Sequence, residues 1–286
     1  GMGNEDRRSE NRFSMRAFRI SVPPELVAQY PAERRDRSRL LVLDVRSGAL
    51  QDDTFQNAYR YLRRGDCLVY NDVRVMKARV RGRKSGTGAS LELLFTRRVG
   101  VLEWLALVRP ARRVRAGTEI VLEGARAGES AGGAPSADPP RREERVTLVE
   151  SLSDGLFKIR SENPIGYQDL ERMGEIPLPP YIRREPVCGF DDERYQTIYS
   201  RTPGAVASPT AGLHFTEELF ERIKAEGVVL APVTLYVDWG TFKPVKEKDY
   251  RRHRIHSERF EIGPESAERI GEARARGNRV VCVGTT

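Results

Sequence analysis

Cysteine and histidine are scarce, at three each in 286 residues. Cys67, Cys188 and Cys282 lie far apart and are odd in number, which gives neither a disulfide framework nor a metal-ligand cluster. They are expected to be buried small hydrophobes in a reducing, cytoplasmic setting. His253 and His256 would share a face on a helix, but zinc needs a further ligand that the cysteines do not supply, so no metal is expected. No apolar run approaches the roughly 20 residues that span a bilayer, and the polar N-terminus lacks the apolar core of a secretory signal. The Gly-x-x-x-x-Gly-Lys phosphate loop, the Gly-x-Gly-x-x-Gly turn and the Gly-x-Ser-x-Gly elbow are all missing. Nucleoside triphosphatases, dehydrogenases and serine hydrolases are therefore unsupported.

What is present describes a soluble globular chain, 39% hydrophobic and 31% charged, long enough for one large or two modest domains. Lys and Arg number 49 against 41 Asp and Glu, a formal net charge of +8. A surplus of this kind attracts polyanions, nucleic acid foremost. The segment from Arg60 to Lys84 holds nine basic residues and two acidic ones. Within it, Lys77, Arg79, Arg81 and Arg83 alternate with Ala78, Val80 and Gly82, and Lys84 follows. Period two predicts a strand with one cationic and one apolar face, which fits either a phosphate-tracking surface or an ordinary solvated strand face.

Along the chain, Arg39–Val45 reads as a buried strand, Thr54–Arg64 as a helix closed by Gly65, and Asp66–Asn71 as another strand. Between Val73 and Arg160, short apolar runs recur between turns, the pattern of a small antiparallel β-barrel. Residues 124–140 are Gly/Ala/Ser/Pro-rich and read as a mobile hairpin tip. After Arg160 the texture returns to α/β. Gly174–Ile182 has too many prolines for a helix. Thr216 is a good N-cap for a helix ending at Gly227. Val228–Val237 is a strand in which Pro232 implies an edge or a bulge, and Val280–Val283 is a buried strand after a polar helix. The expected fold class is α/β, a layered domain built from residues 13–72 and 161–286 and interrupted by an inserted barrel over 73–160.

His214 stands two residues before the Thr216 cap, where free backbone N–H groups and the positive helix end favour anions and keep an imidazole neutral. The bland alternative is a ring packed on Phe215 and donating to a carbonyl. Pro209-Thr-Ala-Gly212 allows close backbone approach to a ligand, and Gly240-Thr-Phe242 ends the next strand in similar fashion. Asp72 and Arg74 place a carboxylate and a guanidinium at a strand end, suited either to a polar ligand or to a structural turn with an ion pair.

A set of ordered motifs carries a family resemblance. They are Pro31–Arg39, Gly65–Val75, Ile176-Pro-Leu-Pro-Pro-Tyr-Ile182, Tyr195-Gln-Thr-Ile-Tyr199, Pro209-Thr-Ala-Gly-Leu-His-Phe-Thr216, Gly240–Val245, His253-x-x-His256-x-Glu258 and Val283-Gly-Thr-Thr286. Together, from about Phe13 onward, the chain resembles the S-adenosylmethionine:tRNA ribosyltransferase-isomerases of queuosine biosynthesis. The resemblance implies transfer of the ribosyl part of S-adenosylmethionine to 7-aminomethyl-7-deazaguanine at the tRNA wobble position. Epoxyqueuosine forms, and adenine and methionine are released. It implies S-adenosylmethionine as co-substrate with no bound cofactor and the tRNA anticodon stem-loop as partner; a monomer is expected, although the sequence itself does not give the oligomeric state.

On that likeness His214 is expected as the base, with Asp72, Arg74, His256 and Glu258 as further catalytic candidates. Thr210, Ala211, Gly212, Phe215, Tyr236, Thr241, Phe242 and Thr285 are expected against substrate, and Lys77, Arg79, Arg81, Arg83 and Lys84 against tRNA. The chain departs from the family pattern at Tyr236, where a histidine is usual, at Asp238, where glycine is usual, and at Val73, where threonine is usual. The family also continues beyond the position of Thr286, so the α/β part is expected to lack its C-terminal portion. These departures leave a second reading open, an RNA-binding relative with impaired catalysis.

Overall fold

The protein is seen as a computed structural model that describes residues 13–18, 20–124, 143–153, 155–238, 240, 245, 247–255 and 257–284. Two strands, β1 (Arg39–Leu43) and β2 (Leu50–Thr54), form an antiparallel hairpin. It is followed by a 3₁₀ helix over Phe55–Tyr61 where the spacing predicts an α-helix. Strand β3 (Cys67–Asn71) is the buried centre of the α/β part, and β4 (Val73–Val75) continues from it. Six strands then close a barrel: β5 (Arg79–Lys84), β6 (Ser90–Arg98), β7 (Glu103–Arg109), β8 (Glu119–Leu122), β9 (Glu144–Ser153) and β10 (Leu156–Ser161). Every neighbouring pair in the barrel is antiparallel.

The chain next forms α1 (Tyr167–Met173), α2 (Phe190–Arg194), β11 (Thr202–Ala205), α3 (Glu217–Ala225), β12 (Val229–Leu235), β13 (Phe260–Glu261), α4 (Pro264–Ala275) and β14 (Val280–Cys282). Strand β3 lies between β12 and β14, parallel to both, and β13 adds antiparallel to β12. The fold is thus mixed α/β with an inserted antiparallel barrel, as the sequence pattern predicts.

Each part has its own core. Inward residues of the barrel strands, among them Phe95, Trp104, Ile120, Leu148 and Ile159, pack with Leu170 of α1, and the Trp104 indole donates to the Ile165 carbonyl at 3.0 Å. In the α/β part, Tyr70, Tyr199, Phe215 and Phe220 form an edge-on aromatic cluster behind β3. Pro232 is tolerated because β13 pairs only with Thr234 and Leu235, leaving the Pro232 side of β12 without a strand. Helix α4 covers that gap: Ser266 Oγ donates to the Pro232 carbonyl and Arg269 Nη1 to the Leu230 carbonyl, both at 2.6 Å. Thr216 caps α3 by accepting from the Leu219 amide at 3.2 Å.

Three burial expectations fail. The Arg39–Leu43 strand pairs only with β2, so Leu41 stays 62% and Leu43 55% exposed. Strand β14 is an edge, so Cys282 is exposed and its two valines are only half-buried. Cys188 is exposed in the loop before α2, and Cys67 alone is buried. Among the described residues no helix is long and apolar enough to cross a membrane.

Barrel and α/β part meet where Glu175 exchanges backbone hydrogen bonds with Arg79 at 2.8 and 3.2 Å. Gly174, the C-cap of α1, lies so close that a Cβ there would stand 1.8 Å from the Lys77 carbonyl oxygen. Replacing Gly174 by Ala must move one backbone against the other. The Gly174→Ala protein is expected to lose about 3 kcal/mol or more of stability in urea unfolding; an unchanged midpoint would contradict this packing.

Candidate active site

A cavity of about 500 Å³ opens between four segments: residues 28–39, the extended stretch 178–184, α2 with Tyr195, and the 3₁₀ turn Thr210–His214. This volume suits a small ligand. The prolines of 176–182 hold the second segment extended, and Gln29 ties it to the first. Its side-chain amide donates to the Tyr181 carbonyl at 3.1 Å, and its Oε1 accepts from the Arg183 amide at 2.6 Å. Arg184 donates twice to Asp191 at 2.7 Å and lies 4.4 Å over the Tyr30 ring. A second cavity of about 540 Å³ shares Gln29, Tyr30, Tyr181 and Arg184 and carries the groove on toward Pro24 and Arg183.

Arg35 fixes the opposite wall. Its guanidinium donates to four carbonyls: Glu193 and Gln196 at 2.8 Å, Arg194 at 3.3 Å and Leu213 at 3.4 Å. A planar fork can reach four acceptors at once, which an ammonium cannot. One helical turn further, Ser38 brings its hydroxyl to 3.1 Å from His214 Nδ1 and to 3.4 Å from the Arg35 carbonyl. His214 is half-buried on the cavity wall, with Phe55 5.2 Å behind the ring. Burial pushes its pKa below the ordinary 6.5, opposed by a hydrogen bond to the Arg35 backbone, so the ring is neutral at pH 7.

The other residues singled out from sequence divide into several places. Thr210 lines the same cavity, and Ala211 is adjacent in the turn. Gly212 is buried, and a Cβ there would stand 2.4 Å from the Tyr199 hydroxyl, so core packing by itself requires a glycine at this position. Phe215 is likewise a core residue, 4% exposed and edge-on to Phe55. The Asp72 carboxylate is buried and accepts from Thr234 Oγ1 at 2.7 Å, whereas Arg74 is exposed, and the two form no ion pair.

Tyr236, Asp238 and Glu258 line a separate crevice of about 110 Å³ beside Arg97 and Tyr167. There the Tyr236 hydroxyl donates to Glu261 at 3.0 Å, and Glu258 accepts from the Asp238 amide at 3.1 Å. Thr241, Phe242, His256 and Thr285 lie outside the described residues, as does nearly all of the 124–140 tip. Among the described residues, no group of three or more His, Cys, Asp or Glu is placed to hold a metal.

The basic strand needs a correction. Its alternation is real, with Val80 and Gly82 buried, but its cations are already paired. Lys77 bonds Asp192 at 2.6 Å; Arg79 meets Glu92 at 2.9 Å and Glu185 at 3.7 Å; Arg81 meets Glu175 at 3.7 Å and Glu185 at 3.6 Å; Arg83 pairs with Glu123. Lys84 donates to the Arg113 carbonyl at 3.2 Å. Asp192, Glu175 and Glu185 come from the α/β part, so Lys77, Arg79 and Arg81 join the two parts of the molecule and do not form a bare cationic track. Sequence reasoning assigns no role to Arg35, Ser38, Tyr30 or Tyr181, although all four lie inside or beside the family motifs. Nothing in a one-dimensional pattern says that residue 38 reaches residue 214.

Fold and cavity together define an α/β protein with an inserted six-stranded barrel and a neutral imidazole facing a cleft. A family model described as "Queuosine biosynthesis protein" matches residues 15–286, and the chain belongs to that family. Similar curated proteins include the S-adenosylmethionine:tRNA ribosyltransferase-isomerases of Pelotomaculum thermopropionicum and Syntrophomonas wolfei. The first is 44% identical over 94% of this chain and 73% of its own length, the second 41% over 98% and 74%. The chain thus spans about three quarters of these relatives. A crystal structure of S-adenosylmethionine tRNA ribosyltransferase from Thermotoga maritima is 29% identical over 94% of this chain and 68% of that one, with a TM-score of 0.37.

Because Arg35 ties the Ser38 segment to the His214 turn, Arg35→Lys is expected to cost about 2 to 3 kcal/mol in urea unfolding, since a lysine cannot reach all four carbonyls. A lysine variant as stable as the parent would show that the fork is not what holds this wall.

Proposed function

We propose that this chain carries out the ribosyl transfer and isomerisation named for its relatives, using S-adenosylmethionine as ribosyl donor and a 7-aminomethyl-7-deazaguanine in the tRNA wobble position as acceptor. The observation that carries this reading is the His214 ring, neutral and half-buried, on the wall of a cavity of about 500 Å³ in a chain of this family.

With the Ser38 hydroxyl donating to the Arg35 carbonyl at 3.4 Å, the serine oxygen can accept from Nδ1–H of His214 at 3.1 Å, and this is the tautomer the reading requires. That leaves the Nε2 lone pair as the basic atom. The positive sulfonium of the donor acidifies the neighbouring ribose carbon, and Nε2 removes the proton there. Adenine then departs with a proton, and the epoxide closes as methionine leaves. Thr210 and the backbone of the 210–212 turn are placed to orient the nucleoside. Asp72 serves this reading by holding β3 to β12 rather than by touching substrate.

The second reading, an RNA-binding relative with impaired catalysis, draws on Tyr236 and Asp238. Both line the smaller crevice and neither lines the cavity of His214, which favours the enzyme.

Incubating the protein with S-adenosylmethionine and precursor-bearing tRNA is expected to release free adenine. His214→Ala should lower that release by a factor of about 100 or more, on the order expected for a general base, with tRNA affinity unchanged within a few-fold. Wild-type release by the variant would remove His214 from the chemistry, and no release by the parent would support the impaired relative.

A further inference from the structure

The end of β7 and the loop that joins it to β8, from Arg109 to Gly117, hold Arg109 on the strand and Arg112, Arg113 and Arg115 in the loop, all exposed. Among the described residues, no carboxylate lies within ion-pair distance of any of the four. Glu92 faces Arg109 across the β6–β7 register, but it is paired with Arg79 at 2.9 Å.

The loop's backbone is held at several points. The Arg113 amide donates to Pro110 and the Val114 amide to Ala111, at 3.1 and 3.2 Å. The buried Thr118 accepts from the Arg115 amide at 3.1 Å and donates its own amide to the Arg115 carbonyl at 3.0 Å. Lys84 Nζ donates to the Arg113 carbonyl, and Val114 packs on the barrel core.

Strand directions place this loop at one end of the barrel. The chain enters at the start of β5 and leaves at the end of β10, both at the opposite end. The acids of the α/β part that neutralise β5 therefore do not reach it. The result is a loop with an anchored backbone that presents four exposed arginines with no ion-pair partner among the described residues, while its aliphatic residue Val114 packs on the barrel core.

We propose that this loop is a docking surface for the phosphate backbone of the RNA substrate, at a distance from the modified nucleotide. The proposal rests on the reading above that this chain acts on RNA. Guanidinium groups match phosphate oxygens two at a time, and such contacts position a nucleic acid without reading its sequence. An anionic membrane also attracts arginines, but a surface helix or loop that docks on lipid presents apolar side chains for insertion, and this loop turns Val114 onto the barrel core instead. The loop thus takes over the role that alternation suggested for β5.

The test is tRNA binding by the full chain across a salt series, for the parent and for a variant with Arg109, Arg112, Arg113 and Arg115 each changed to Gln. Log affinity against log salt should become shallower by about 0.7 to 0.9 for each phosphate that the variant no longer neutralises, and affinity at low salt should fall about tenfold or more. Adenine release at saturating tRNA should be retained. A variant with the parent's slope and affinity overturns the proposal. So does loss of binding to anionic phosphatidylserine vesicles while tRNA binding stays intact, which would assign the loop to a membrane. Binding and its slope are read without turnover, so a parent that binds tRNA but releases no adenine refutes the proposed reaction and leaves the docking surface to be judged by its slope.

Discussion

Arg35 is the residue on which the candidate site depends. It is half-buried with its charge directed at four main-chain carbonyls, and it ties the 30s segment to α2 and to the turn that carries His214. Without it, Ser38 would have no fixed place against the imidazole, and the cavity would lose the wall between α2 and residues 28–39. Burial disfavours the guanidinium charge, which is why its pKa is depressed, and only a dense set of carbonyl dipoles offsets that cost. Buried amides do similar work elsewhere. Gln196 exchanges two hydrogen bonds with the Val75 backbone at 2.7 and 3.0 Å, and Asn71 exchanges two with Leu235, both at 2.9 Å.

Charge in this chain has two separate roles. Lys77, Arg79 and Arg81 meet Asp192, Glu175 and Glu185 where barrel and α/β part touch, and those pairs set how the parts sit together. A salt bridge of this partly exposed kind contributes little stability singly, but like charges left unmatched at a junction would repel. The arginines at the far end of the barrel have no ion-pair partner among the described residues. A net charge of +8 therefore says less about RNA than its placement does.

Much of the fold was legible in the sequence. Alternation and turn spacing marked the barrel strands, Thr216 marked a helix start, and the Pro-rich 174–182 stretch marked an extended wall, because each depends on residues close in sequence. Burial of the Arg39–Leu43 run was not legible, since an apolar strand is buried only if another layer covers it. The fate of Lys77 was hidden for the same reason, its partner Asp192 lying 115 residues away. His214 stands out from its place before a cap, whereas the packing of Gly212 against Tyr199 and of Phe215 against Phe55 is not visible in the sequence.

The central claim is that His214 offers a bare Nε2 at neutral pH because Ser38 and the Arg35 carbonyl hold its proton on Nδ1. Nitrogen-15 NMR of labelled histidine through a pH titration tests it directly. The account predicts a neutral ring at pH 7 with hydrogen on Nδ1, and a pKa below 6.5. A ring protonated at pH 7, or one with its hydrogen on Nε2, would contradict it.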